Sequence, residues 1–356
     1  MPRHLVFIGN CQTDTLAVLY RAIVAPRTGE RVSYLASYLG ADAAAAATVA
    51  SADVVVRQVL DFAPRTDELE AQARSVLVPL IAAPFLWPCS GRAHPRNAPA
   101  PYLDPSGPYD AELGDSFLDR MIAREVPAEA AVAEYLATDI VALRHVDRMQ
   151  EISLQRQRAR EHACGGYGLT DAILARLGRE KLFRTVNHPE RALTLLLAAE
   201  VFERIGVPAE CLDALPQYPG PLFPATEAPI HPGIARHFGL SYGDAAARYR
   251  FFDEGRFTFA EYAYRYMNYE WNPDLPHGLH LAHSGYPLQA ILLLRQAVAA
   301  SPGSATGHAV LGDLLAAQGR PEEATACARR ALELEPDNAH YQGRYAHLRS
   351  LTESAQ

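Results

Sequence analysis

Two residues stand where side-chain type and neighbourhood together point to covalent or acid–base chemistry. The first is Cys11, in the run Gly9-Asn10-Cys11-Gln12. The run follows an apolar segment, Leu5 to Ile8, and precedes a helical pattern from Thr13 to Ile23. A thiol at a strand-to-helix turn meets the unpaired N–H groups and the positive dipole end of the helix. Both favour a thiolate and can hold an oxyanion or a phosphate. Gly9 suits a tight turn, and the Asn10 amide is a candidate donor to a developing oxyanion, with Gln12 beside it. The competing reading is a small buried hydrophobe, as many free cysteines are.

The second is His188, in Asn187-His188-Pro189-Glu190. It follows an apolar run, Leu182 to Val186, and precedes an apolar helix, Arg191 to Ile205. Pro189 suits the first helical position, so His188 or Asn187 is expected to cap that helix. Strand ends of one parallel sheet face the same way, so Cys11 and His188 are able to meet. A thiol and an imidazole are the minimum for covalent acyl transfer or for general-base activation of a hydroxyl. The histidines His94, His145, His162, His231 and His237 show no spacing that matches a metal site, and no metal is expected.

Around this pair, Arg57 and Gln58 end the third apolar run, Arg92 lies in a Pro-rich stretch, and Lys181 and Arg184 flank or occupy the fifth run. Each reads alone as a solvated polar group. Together on one sheet edge, with Gly9, they are candidates to bind the phosphates of a nucleotide-like cofactor, with Phe85, Trp87 or Tyr102 over its adenine or pantetheine. The sequence has no G-x-G-x-x-G and no P-loop.

The elements that must hold these residues are short β-rich runs alternating with helical ones. Leu5 to Ile8, Val32 to Leu35, Val54 to Val56, Val76 to Ile81 and Leu182 to Val186 read as buried strands. The alternation predicts an α/β fold with a parallel sheet. Residues 84–113 form a Pro-rich loop and 114–178 a helical insertion, and amphipathic helices from Tyr242 to Asn268 close a domain of residues 1–270. A period of 34 then pairs Gly278 with Gly312, Gly285 with Gly319, Ala290 with Ala324, Ala297 with Ala331 and Pro302 with Pro336. The period and the small residues at helix crossings resemble tetratricopeptide repeats, two of them over residues 271–356 with a capping helix from Asp337 to about Thr352. Such an array implies a protein partner or self-association.

Composition narrows the classes further. The chain has 356 residues and a formal net charge of −8, and Lys181 is its single lysine. A phosphate backbone is held by clustered positive charge, so a nucleic-acid partner is not expected. Cys11, Cys89, Cys164, Cys211 and Cys327 are odd in number and widely spaced, which fits a reducing compartment and no disulfide framework. The longest apolar stretches, Val76 to Trp87 and Leu193 to Phe202, fall short of the roughly 20 residues that span a bilayer. No signal-peptide pattern opens the sequence, and a cytoplasmic protein with no integral membrane segment is the expectation.

The motifs Gly9-Asn10-Cys11-Gln12, Asn187-His188-Pro189 and His231-Pro232 resemble the WcbI-type polysaccharide biosynthesis proteins over roughly residues 3 to 270. That resemblance implies a coenzyme A-dependent O-acetyltransferase of a saccharide hydroxyl, with acetyl-CoA as donor and a cysteine-centred site. The block order also resembles SGNH hydrolases, with two departures. Cys11 replaces the serine, and Thr185 stands where such hydrolases carry an acid three residues before their histidine, leaving Asn187 and Glu190 as the nearest groups to orient His188. The alternatives are an SGNH-like esterase or deacetylase and a non-catalytic sugar- or partner-binding protein that uses its repeats.

Overall fold

A computed structural model describes residues 2–37, 42–60, 73–97, 109–223, 226–251, 255–269, 278–279, 282 and 287–354. In chain order, β1 (His4–Gly9) leads into α1 (Cys11–Leu19), a π-helical segment (Tyr20–Val24) and α2 (Ala25–Thr28). Gly29 ends that run at φ +72°, where glycine pays no Cβ penalty, and returns its N–H to Ala25 O. Next come β2 (Arg31–Ala36), α3 (Ala43–Ala50), β3 (Val54–Val59) and β4 (Arg74–Pro79). Helices follow: α4 (Ser116–Ala123), α5 (Ala128–Ala137), α6 (Ile140–Leu143), α7 (Val146–Ala163), α8 (Leu169–Arg176), α9 (Arg191–Arg204), α10 (Ala209–Leu212) and α11 (Pro232–His237). The short strands β5 (Tyr249–Phe251) and β6 (Gly255–Phe257) precede α12 (Phe259–Met267), α13 (Pro287–Ala300), α14 (Ala305–Ala317), α15 (Pro321–Leu334) and α16 (Ala339–Ser354).

The chain forms two compact units. One comprises Met1–Pro88, Asp139–Ala225 and Ile230–Asp244; the other comprises Cys89–Thr138, Thr226–Pro229 and Ala245–Gln356. The first holds a four-stranded parallel sheet in the order β2-β1-β3-β4. Alternation along β1 sorts its side chains between two layers. Val6 and Ile8 join Val55, Ala45 and Val49 of α3 on one face. Phe7 turns to the other, against Tyr20, whose ring meets Phe202 of α9 at 5.1 Å. Because β1 is followed on one side by β2 and on the other by β3, the sheet reverses its winding beside β1. The carboxyl end of that strand, where Cys11 begins α1, is the crevice in which open α/β sheets bind ligands.

Two expected elements differ. Leu182 to Val186 is not a strand: it carries only an isolated bridge between Phe183 and Pro189. Leu182, Phe183 and Thr185 are buried, so the apolar run reports a buried loop, which periodicity alone does not separate from a strand. The stretch from Tyr242 to Asn268 is helical only over α12. Before it lies the antiparallel pair β5–β6, whose Tyr249 and Phe251 are buried on either side of exposed Arg250.

In the second unit, α12 packs on α4 and α5, and α13 to α16 form an all-α array. A Cβ at Gly312 of α14 would lie 3.1 Å from Ala324 O of α15, and Ala324, Ala328 and Ala331 are buried. Small residues are therefore required where these helices cross. The single helix α16 closes the array through Tyr341 and Leu348, both buried. Among the described residues no helix is long and apolar enough to cross a membrane.

Candidate functional site

The site is built on the turn from β1 to α1. Asn10 is the N-cap of α1: its side-chain oxygen accepts from Gln12 N at 2.9 Å, satisfying one of the helix's orphan donors. Its own N–H donates to Gln58 Oε1 at 2.9 Å. The Asn10 amide expected to face an oxyanion is thus committed to the protein. The amide of Cys11, the first helical residue, has no acceptor among the described residues. Gly9 fits for steric reasons and not for left-handed backbone: a Cβ there would lie 2.2 Å from Thr13 Oγ1 and 2.7 Å from Gln58 Cβ.

Cys11 Sγ lies 3.1 Å from His188 Nε2. His188 reaches it from a tight loop and not from a strand end. Arg184 N donates to His188 O at 2.8 Å, Glu190 N donates to Leu182 O at 2.7 Å, and the Arg184 guanidinium pairs with Glu190 at 3.1 Å. The cap of α9 is Glu190, so neither His188 nor Asn187 is spent on capping. Pro189 consequently precedes the cap instead of opening the helix.

Gln12 ties loop and turn together. Its Nε2 donates to Asn187 O at 2.6 Å and Ile81 O at 2.7 Å; its Oε1 accepts from Ile81 N at 3.1 Å and Gln58 Nε2 at 3.3 Å. Both Gln12 and Gln58 are buried. Gln58, expected to touch a cofactor, serves instead as an internal strut beneath Asn10, and Gln12 positions the loop of His188.

Thr185 Oγ1 lies 2.9 Å from His188 Nδ1. Thr185 is buried. The residue three before the imidazole is thus within hydrogen-bond reach of its Nδ1. The spacing of Thr185 to His188 was the available signal, masked by the expectation that an orienter be an acid. The ring of Phe223 lies against the imidazole, with centroids 5.1 Å apart and planes tilted by 44°. The loop that delivers it is held by Arg191, which donates to the carbonyls of Pro216, Tyr218 and Gly220. Neither residue was marked by its sequence context.

The expected phosphate contacts divide between the two units. Arg57 and Lys181 are half-buried in the sheet-bearing unit, whereas Arg184 is engaged by Glu190. Arg92 is an exposed residue of the other unit, where its charge acts on Asp119. Of the aromatic residues, Phe85 is core, edge-on to Phe238 at 5.3 Å, Trp87 is buried, and Tyr102 lies outside the described residues. Among the described residues no group of three or more His, Cys, Asp or Glu side chains could hold a metal ion.

A parallel sheet in the order 2-1-3-4, with a cysteine directly after its first strand, is the setting for the comparison with known proteins. The family model described as polysaccharide biosynthesis enzyme WcbI matches residues 4–210, more than half of the chain. The chain belongs to the WcbI family. A tetratricopeptide repeat model matches residues 281–348. Among solved structures, WcbI itself, a polysaccharide biosynthesis enzyme, shares the fold at a TM-score of 0.54 and 16% identity, over 93% of this chain and 99% of that one. It is described as the native protein without a disulfide bond between coenzyme A and a cysteine. A thermophilic TPR protein of Thermus thermophilus also matches, at 16% identity over 65% of this chain and 94% of its own, with a TM-score of 0.21. No curated protein matches. Cys11, Gln12, Gln58, Thr185 and His188 all fall inside the WcbI match, and Phe223 lies beyond it.

Proposed function

We propose that this enzyme transfers an acyl group from a coenzyme A thioester, with acetyl-CoA as donor, to a saccharide hydroxyl. The observation that carries the reading is the 3.1 Å approach of Cys11 Sγ to His188 Nε2 at the carboxyl end of β1. Membership of the WcbI family supports the polysaccharide setting, and the coenzyme A named for the related WcbI structure supports a coenzyme A thioester as donor. A half-exposed thiol at a helix N-terminus fits a thioester, since the neighbouring N–H groups favour negative charge on the attacked oxygen. The Cys11 amide is the donor for that oxygen. Arg57 and Lys181 are the candidate phosphate contacts.

In the covalent route, His188 Nε2 takes the Cys11 proton as sulfur attacks the thioester carbonyl. The same proton then goes to the departing coenzyme A thiolate, leaving an acyl group on Cys11. The saccharide hydroxyl attacks that group, loses its proton to Nε2, and Cys11 is restored as a thiol. In the direct route the hydroxyl attacks the donor itself, and His188 Nε2 takes the hydroxyl proton and passes it to the departing coenzyme A thiolate. The array is read as the surface that recruits a protein partner or a second copy.

Acetyl-CoA incubated with the protein, with and without a panel of acceptor saccharides, tests the reading through release of coenzyme A thiol. Acceptor-dependent release is expected, lost in Cys11→Ala and reduced to a trace in Cys11→Ser, with folding intact by circular dichroism. Release to water alone would make it an esterase. Near-full acceptor-dependent turnover in Cys11→Ala would remove the cysteine from the mechanism.

A further inference from the structure

The contact between Thr185 and His188 has a chemistry of its own. Where an imidazole works beside a nucleophile, a carboxylate commonly accepts its other N–H, fixing the tautomer and stabilising the cation that forms. Here the partner of Nδ1 is a hydroxyl, Thr185 Oγ1 at 2.9 Å. The contact is out of water, since Thr185 is 4% exposed. The loop around it is closed by the Arg184–His188 and Glu190–Leu182 backbone bonds and by Gln12 on Asn187 O, so the ring has little freedom to turn away.

We propose that Thr185 is the positioning residue of this site: its hydroxyl accepts the Nδ1 proton, holding the tautomer whose Nε2 lone pair faces Cys11, and does so without adding negative charge. Two effects that a carboxylate combines are thereby separated. Orientation is kept, because a neutral oxygen fixes ring and tautomer as a charged one does. The Thr185 contact adds no charge to stabilise an imidazolium, so through it the pair draws less of its proton transfer from a standing thiolate and more from the substrate's arrival. Charged groups on the surrounding elements include Arg184 and Glu190 in the loop, Lys181 just before it, Arg57 near the end of β3, Arg191 opening α9 and Asp14 in the first turn of α1. None of them is altered in the test.

This inference rests on Cys11 and His188 forming a working pair, and the test separates the two. The rate of Cys11 alkylation by iodoacetamide, read by mass spectrometry of the Cys11 peptide, is measured from pH 5.5 to 8.5 in the full-length protein. Thr185→Ser is expected to keep the wild-type profile. Thr185→Val, close in shape but without the hydroxyl, is expected to react about tenfold more slowly at neutral pH and to show both imidazole tautomers in nitrogen NMR. Thr185→Asp, if folded, is expected to react about tenfold faster at pH 6, because an adjacent carboxylate favours the imidazolium and with it the thiolate. A folded Thr185→Val protein with wild-type rates and tautomer overturns the inference. If His188→Gln leaves alkylation unchanged, it is the pairing of Cys11 with His188 that fails, and the proposed function with it.

Discussion

At position 9 the sequence tolerates no side chain. An added methyl would press on Thr13 Oγ1 and on Gln58, whose Oε1 carries the Asn10 amide. Gly9→Ala is therefore expected to destabilise the protein by about 1–3 kcal/mol, the usual range for overpacking, measured as a lower urea midpoint at unchanged slope. It should also disturb Cys11 alkylation, because Gln58 cannot retreat without releasing the turn. A wild-type midpoint would show that the turn relaxes freely. Cys11 and His188 stood out in the sequence as a thiol and an imidazole beside apolar runs and helix signals, but only Cys11 follows a strand; the run before His188 is a buried loop. The roles of Gln12 and Gln58 were not legible, since a glutamine gives no sign of whether its amide faces a ligand or four buried backbone and side-chain partners. Thr185 was visible as a departure from an acid, but its contact with His188 Nδ1 was not.

Among the elements, the end of α12 depends on a short segment of the same unit. His94 Nε2 donates to Tyr266 O at 2.9 Å while its Nδ1 accepts from Arg96 N at 3.0 Å, and Arg96 reaches Met267 O and Tyr269 O. The last carbonyls of the helix are thus capped by side chains. Both ring nitrogens are satisfied only in the neutral form, and burial lowers the His94 pKa to about 4, with Arg96 adding repulsion. In the unfolded chain a histidine titrates near about 6.5. Between those values the unfolded state binds more protons, so this contribution is full above about 6.5 and is lost as pH falls toward 4. Melting temperatures of wild type and His94→Gln are expected to differ most at pH 7.5 and to converge by pH 4.5; a constant gap would rule out titration of His94. At this scale the strands β1 to β4 and the α1 start were readable from apolar runs and caps. The loop of His188 was not, because a buried loop and a buried strand share one composition. Nor was β5–β6, whose three-residue strands are too short to establish a period of two against the helical pattern that follows.

For the whole molecule, the 34-residue period made the array legible, since repeated small residues at fixed offsets record helix crossings directly. The array meets its own unit through an ion pair between Arg265 and Glu335 and through Asn338, which lies against Gly255. Every side chain of the Cys11–His188 arrangement belongs to the other unit. A chain ending near Asp274 is accordingly expected to remain folded by circular dichroism and to keep the wild-type rate of Cys11 alkylation, while losing the proposed partner binding or self-association. A folded truncation with altered Cys11 reactivity would tie the repeats to the site. Which segments pack together was beyond the sequence, because composition marks Pro-rich boundaries and not the return of the chain to a unit it has left. That return bears on biosynthesis. Cys89–Thr138 leaves the ribosome more than a hundred residues before Ala245–Gln356, with which it packs. At about 5–20 residues per second the delay is on the order of ten seconds. Through it Phe117 and Tyr135, which stack at 4.1 Å in the finished protein, wait without the α12 residue Phe259 that closes over Tyr135. The nascent chain at that stage is expected to be a client for a holding chaperone, and ribosome-bound intermediates stalled near residue 240 are where its capture is to be sought.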